Sequence, residues 1–373
     1  MTIDEFLEEW HNESPYVHVQ TSGSTGAPKQ ILVEKQRMLN SARITCDFLG
    51  LHEGDTALLC MSLDYIAGKM MVVRSLERGL RLITVSPSGH PLRGTHWGYW
   101  GHRGTVPRVS SAADYTGTVP SVSRSTPGTV PSVSLDFAAM VPMQVYNSLQ
   151  VPEERERLRQ IRHLIIGGGA IDDALAAELK TFPHAVWSTY GMTETLSHIA
   201  LRRLSGPEAS DYYTPFDSVK VSLSEEGCLV IDAPEVCAEP LVTNDIAELT
   251  HEGQSLMCSA GFAHEGQSPC ANFRILGRKD NVICSGGLKI QAEELERQLR
   301  PHLRVPYLIS KRADAKFGEV VVLLTEGSVD EAREVCQRVL PKYHQPRAYV
   351  HIDHIPLTET GKPARQQAEH IGA

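Results

Sequence analysis

Short apolar runs alternate with stretches of helical period through the first half of the chain, and this alternation restricts the fold more than any other feature. Ala57–Cys60, Arg81–Val85, Phe137–Val141 and His163–Ile166 are bounded apolar runs of strand length. Gln36–Leu49, Ile66–Arg78 and Asp172–Lys180 carry the helical spacing. Strands that alternate with helices predict an α/β fold whose sheet is at least partly parallel. Helix starts are expected at Ser41 and Asp172, where a side-chain oxygen can accept from free backbone N–H groups.

Two repeats interrupt the pattern. Residues 93–134 are rich in Gly, Ser, Thr, Pro and Val and contain Gly-Thr-Val-Pro at Gly104–Pro107, Gly117–Pro120 and Gly128–Pro131. Such density of proline and serine does not sustain a strand ladder or a core, so the stretch reads as a flexible insertion, or else a surface loop. His251–Ser255 and His264–Ser268 repeat His-Glu-Gly-Gln-Ser, which predicts a lengthened loop over 251–270 rather than a metal site. From Asp280 the character changes. Helices are expected over Gln291–Arg300 and Asp330–Leu340, and strands over Glu319–Leu324 and Arg347–Ile352. The expected organisation is a large domain, 1–279, and a small α+β domain, 280–373.

Composition excludes several function classes. The chain has 373 residues, a net charge of −9 and no basic stripe, which argues against a general nucleic-acid binder. No apolar run approaches the ~18 residues of a membrane span, and the acidic start lacks a signal pattern. Eight cysteines without a CxxC pair argue against zinc and dithiol chemistry and lead us to expect a reducing cytoplasm.

Four segments carry chemistry. In Thr21-Ser22-Gly23-Ser24-Thr25-Gly26-Ala27-Pro28-Lys29, glycines admit close backbone approach, hydroxyls add donors and Lys29 adds charge, which suits phosphate oxygens. In Tyr190–Thr195, Tyr190 offers a flat face to a base, Thr193 a hydroxyl, and Glu194 a hard oxygen suited to Mg²⁺ beside phosphates. Gly277–Ile283 leads into Ser285–Ile290, and its Arg278 can reach ribose or phosphate. In Pro356–Arg365, Lys362 follows a glycine and can meet developing negative charge. Taken singly, each also reads as a solvated turn or linker.

Together and in order, these segments resemble the ANL superfamily of adenylate-forming enzymes. The resemblance extends from about Val17 to Arg365 apart from the two repeats. Leu63–Met70, Tyr190–Leu201, Leu241–Asp245 and Asp280–Ile290 are most similar to the short bacterial o-succinylbenzoate–CoA ligases of menaquinone biosynthesis. That resemblance implies two half-reactions: ATP and a carboxylic acid give an acyl-adenylate and pyrophosphate, then CoA displaces AMP. Mg²⁺ is the implied cofactor.

The resemblance assigns Thr21–Lys29 to the β- and γ-phosphates, and Gly167, Gly168 and Gly169 to the segment lining adenine and acyl group. It packs Tyr190 on adenine and puts Thr193 on phosphate, Glu194 on Mg²⁺ and Asp245 and Arg278 at the ribose. Asp280 becomes the hinge of a mobile small domain, and Lys362 the lysine that contacts the reacting carboxylate and α-phosphate. Candidates for the acid pocket are Tyr65, Lys69, Arg74, Ser197 and His198. For Lys69 and Arg74 a solvated helix face is the alternative, and for His198 a packed or supporting histidine.

The sequence departs from the family at Asn244, where many members have glycine, and at Tyr65, where many have histidine or another aromatic. Twenty residues precede Thr21, so the large domain is expected to be trimmed relative to full-length members. A ligase for another aryl or acyl acid, and an inactive nucleotide-binding relative, are the alternatives.

Overall fold

A computed structural model describes residues 1–20, 30–93, 98–100, 134–169, 171–250, 271–357 and 363–371. The chain divides into two compact units. The first holds Met1–Lys220 and Asp232–Pro240; the second holds Val221–Ile231, the strand Leu241–Leu249 and the chain from Phe273 on. The position 279/280, expected as a domain boundary, lies inside the second unit.

The first unit is built on an eight-stranded sheet. Its spatial order is Thr214–Pro215, His198–Arg203, Ala185–Gly191, His163–Ile166, Phe137–Met140, Thr56–Leu59, Arg81–Thr84 and Gly98–Trp100. The run from Ala185–Gly191 to Arg81–Thr84 is parallel; the flanking strands are antiparallel. Thr56–Leu59 and Phe137–Met140 are buried at every residue, as a parallel sheet covered on both faces requires. Leu58, Ile83, Ala138, Met140, Leu164, Ile166 and Val186 share one core.

Expected and observed elements agree closely here. Ile66–Arg78 is a helix and His163–Ile166 a strand with the expected bounds. Asp172 caps the helix Asp173–Leu179 by accepting from the Leu175 N–H at 2.8 Å. Ser41 caps nothing: the helix runs Lys35–Leu49 directly from the strand Gln30–Glu34, which leaves Ser41 buried inside it. Gly98–Trp100, expected within an insertion, pairs with Arg81–Thr84 as an edge strand. The rest of that stretch between Arg93 and Ser134, and residues 251–270, lie outside the described residues.

The second unit contains a four-stranded sheet in the order Lys220–Leu223, Cys228–Asp232, Leu241–Leu249, Phe273–Arg278. A second sheet runs Leu288–Gln291, Val282–Ser285, Gly318–Thr325, Tyr307–Asp314, and Ala348–His351 joins Gly318–Thr325 in parallel. Helices Ala292–Leu299 and Val329–Val339 bury Leu295, Leu299, Ala332 and Val335 in one cluster with Ile283, Ile290, Ile309 and Leu323.

Candidate active site

Gly167–Gly169 and Tyr190–Thr195 leave the carboxyl ends of two neighbouring parallel strands, His163–Ile166 and Ala185–Gly191. That edge of an open α/β sheet is where ligands bind, because loops diverge there and leave a crevice. The strand Ala185–Gly191 shifts register against His198–Arg203 between Tyr190 and Gly191. A Cβ on Gly191 would stand 2.2 Å from the Ser197 carbonyl oxygen, so only glycine permits this crossing. Tyr190 is half-buried with its ring 5.7 Å from that of Tyr213, whose hydroxyl is 2.9 Å from Ser188 Oγ.

A short 3-10 turn, Thr193–Thr195, carries the polar groups. Thr195 Oγ1 accepts from the Met192 N–H at 3.0 Å, and Leu196 follows with φ +65°. This pins the turn while Glu194 points its carboxylate outward as an exposed residue and Thr193 stays half-buried. Among the described residues no group of three His, Cys, Asp or Glu could hold a metal ion. An exposed single carboxylate fits Mg²⁺ that arrives with phosphates, since that ion keeps most of its ligands from substrate and water.

Behind the turn, the candidate acid-pocket residues form a buried chain. Arg74 Nη2 donates to Ser197 Oγ at 2.7 Å. Ser197 Oγ is 3.2 Å from His198 Nδ1, and His198 Nε2 is 3.1 Å from Thr45 Oγ1. The Thr45 hydroxyl gives its proton to the Ser41 carbonyl at 3.0 Å. It therefore accepts from His198, which fixes the Nε2–H tautomer and makes Nδ1 the acceptor of the Ser197 proton. His198 is held neutral: burial, and then the Arg74 charge, push its pKa well below the usual value. Arg74 is 2 % exposed, its Nε has no hydrogen-bond partner among the described residues, and burial lowers its pKa to about 10. Among the described residues no carboxylate pairs with it.

Lys69 is also buried, so neither cation lies on a solvated face, but the structure does not bring Lys69 to this group. Its ammonium donates to the His18 carbonyl and lies 5.6 Å from the Phe6 ring centre. Tyr65 is exposed at the N-cap of Ile66–Arg78 and makes a backbone bridge with Gln20, the residue before Thr21. Thr45 was missed by sequence reasoning. Its signal is faint, a hydroxyl four residues after Ser41 on an apolar helix face.

The histidines make stability pH-dependent. An unfolded histidine takes a proton below about pH 6.5, whereas native His198 resists it. His163 resists it down to about pH 4, through burial and then Arg162 and Arg203. The stability they contribute is present above pH 6.5 and is lost as pH falls below it. Urea midpoints should drop between pH 7.5 and 5, and His198→Asn should flatten that slope. A flat wild-type profile would contradict the assignment.

The second unit gathers a separate cluster. Asp245 and Arg278 are cross-strand partners, with Nη1 3.4 Å from Oδ1. Arg278 Nη2 and Asn244 Nδ2 meet Asp280 Oδ2 at 3.4 and 3.3 Å. The residues expected at the ribose, the expected hinge and the departure at Asn244 thus form one network. Thr21, Ser22, Gly23, Ser24, Thr25, Gly26, Lys29 and Lys362 lie outside the described residues. Their flanks are described: Tyr16–Gln20 pairs with Gln30–Glu34, and Leu357 bridges Pro363.

The chain belongs to the AMP-binding enzyme family, whose model matches residues 4–257. It is 22% identical over 377 residues to a 2-succinylbenzoate–CoA ligase of Bacillus velezensis, covering 94% of this chain and 68% of that one. A 2-succinylbenzoate–CoA ligase of Haemophilus influenzae is 24% identical over 93% of this chain and 69% of its own. Among solved structures, an acyl-CoA synthetase (AMP-forming)/AMP-acid ligase II-like protein from Dyadobacter fermentans matches with TM-score 0.58 and 28% identity, over 97% and 91% of the two chains. The o-succinylbenzoate CoA synthetase of Bacillus subtilis, in complex with its acyl-adenylate intermediate, matches with TM-score 0.66 at 22% identity over 94% and 68%. These relations place the chain in the class of adenylate-forming acid–CoA ligases. No helix among the described residues is long and apolar enough to cross a membrane.

Proposed function

We propose that this chain is an AMP-forming o-succinylbenzoate–CoA ligase acting in the cytoplasm in menaquinone biosynthesis. Glu194 would help hold the Mg²⁺ that accompanies ATP, which would offset phosphate charge, and Thr193 would meet a phosphate oxygen. Tyr190 stacks on adenine beside Gly167–Gly169, and Asp245 and Arg278 take the ribose. Attack of a carboxylate on the α-phosphate breaks the α–β phosphoanhydride bond, releases pyrophosphate and brings two anions together, and Lys362 stabilises the charge that spreads between them. CoA then displaces AMP.

The observation that carries the choice of acid is Arg74. Among the described residues no carboxylate meets this buried guanidinium, which leaves its positive charge behind Ser197 without a counter-charge from them. A dicarboxylic acid that enters with one group to be activated can supply the missing counter-charge with the other. Burying that second carboxylate unpaired would be very costly, so the cation also rewards the dianion over a monoanion. The relatives named for 2-succinylbenzoate, found in separate genera, support the same acid.

The test is thioester formation with o-succinylbenzoate against its two monocarboxylate analogues. The dicarboxylate should exceed the better analogue by about 10²-fold or more, since a site built for a polar group rejects molecules that lack it. Equal rates would retain the ligase and remove the acid.

A further inference from the structure

The charged helix Ala292–Leu299 begins beside the Arg278 cluster, and two side chains at its start do something the proposed chemistry does not yet use. Gln291 Nε2 donates to the Arg278 carbonyl at 3.0 Å and also to Glu293 Oε2. The other Glu293 oxygen accepts from Asn281 Nδ2. One carboxylate thus ties together the residues on both sides of Lys279–Asp280, using charge-assisted hydrogen bonds from two neutral amides. Lys311 adds a long contact from Nζ to the Asp280 carbonyl at 3.4 Å.

Gly277 makes room for this arrangement. A Cβ there would stand 2.3 Å from Gln291 Nε2 and 2.7 Å from Glu293 Oε2. Any side chain would push the Gln291 amide off the Arg278 carbonyl. Arg278 is 41% exposed, and its guanidinium contacts to Asp245 and Asp280 are both 3.4 Å, too long to fix it alone. Its main chain is therefore where its position is set.

We propose that Gln291 and Glu293 form a latch across Gly277 that positions Arg278 for the nucleotide and holds the segment 278–281 closed. This rests on the reading of Arg278 as a nucleotide-binding residue. Gln291 and Glu293 are positioning residues, because they touch Arg278 and Asn281 and not the nucleotide.

The experiment uses the full chain with two readouts, calorimetric binding of MgATP and the rate of tryptic cleavage after Arg278 and Lys279. Glu293→Ala and Gly277→Ala should each weaken MgATP binding about 10-fold and speed cleavage at that segment about 10-fold, because cleavage follows the open population. Glu293→Gln, which keeps the shape, should fall between them and wild type. In an Arg278→Ala background, Glu293→Ala should change MgATP binding less than about 2-fold, since residues acting as a unit are not additive. Retention of the full 10-fold effect in that background would show a merely structural role and overturn the proposal, as would unchanged cleavage in folded single variants. Wild-type protein that binds no MgATP would overturn the nucleotide role of Arg278, and the latch would then stand or fall on cleavage alone.

Discussion

Glu296→Ala should destabilise the second unit by about 3–5 kcal/mol, the cost of stripping one partner from a buried ion pair. Arg365 forks onto Glu296, with Nη2 2.7 Å from Oε2 and Nη1 3.0 Å from Oε1. Both groups are also bound to one residue of the central hairpin: Arg365 donates to the Ile309 carbonyl at 2.7 Å, and Glu296 accepts the Ile309 N–H at 2.8 Å. The side chains are 18% and 15% exposed, so water does not take over the lost partner. Burial pushes the Glu296 carboxyl up, and the Arg365 charge opposes that shift. In the alanine variant Arg365 keeps its bond to Ile309 and loses its ion-pair partner, with the weaker influence of Glu293 left near it. Scanning calorimetry should show the transition of this unit displaced by on the order of 10 °C. A displacement below about 2 °C would mean that the pair breaks even against its desolvation. The pair also anchors the chain three residues beyond Lys362, where Leu357 bridges Pro363 and the Ala364 N–H reaches the Pro356 carbonyl at 2.8 Å.

Lys362→Ala should lower adenylation on the order of 10²–10³-fold, the loss expected on removing one donor aimed at transition-state charge. The effect on thioester formation from supplied acyl-adenylate should be much smaller, because the phosphoryl charge that the lysine meets has by then been redistributed. Single-turnover measurement of each half-reaction separates the two. Equal losses in both would assign Lys362 a general structural role and end the electrostatic one.

Much of the fold was legible because local signals and tertiary context agree. The parallel strands are short apolar runs buried on both faces, and Ile66–Arg78 and His163–Ile166 follow from pattern alone. The helices Pro142–Gln150 and Pro152–Arg159 were not legible, since the first leaves Met143 and Tyr146 exposed and the second is mostly charged. The strand His198–Arg203 was hidden by its two arginines, which lie across aromatic rings: Arg202 on Tyr213 and Arg203 on Trp187.

The motifs of the candidate site were legible and its wiring was not. Tyr190, Thr193, Glu194 and Arg278 stand out as residue types within their motifs, and Asp245 enters only through the family resemblance. Nothing local distinguishes Arg74, which binds Ser197, 123 residues away, from Lys69, which turns to the N-terminal hairpin. Both sit on one helix among methionines and valines. Their separate fates follow from which neighbour the fold brings within reach.

Acid-dependent exchange between ATP and pyrophosphate tests the adenylation chemistry most directly, using the purified 373-residue chain, Mg²⁺ and a panel of carboxylic acids without CoA. Exchange should appear with o-succinylbenzoate, stay near background with monocarboxylates, and vanish in Glu194→Ala and Lys362→Ala. Folded protein that binds MgATP yet exchanges with no acid would contradict it.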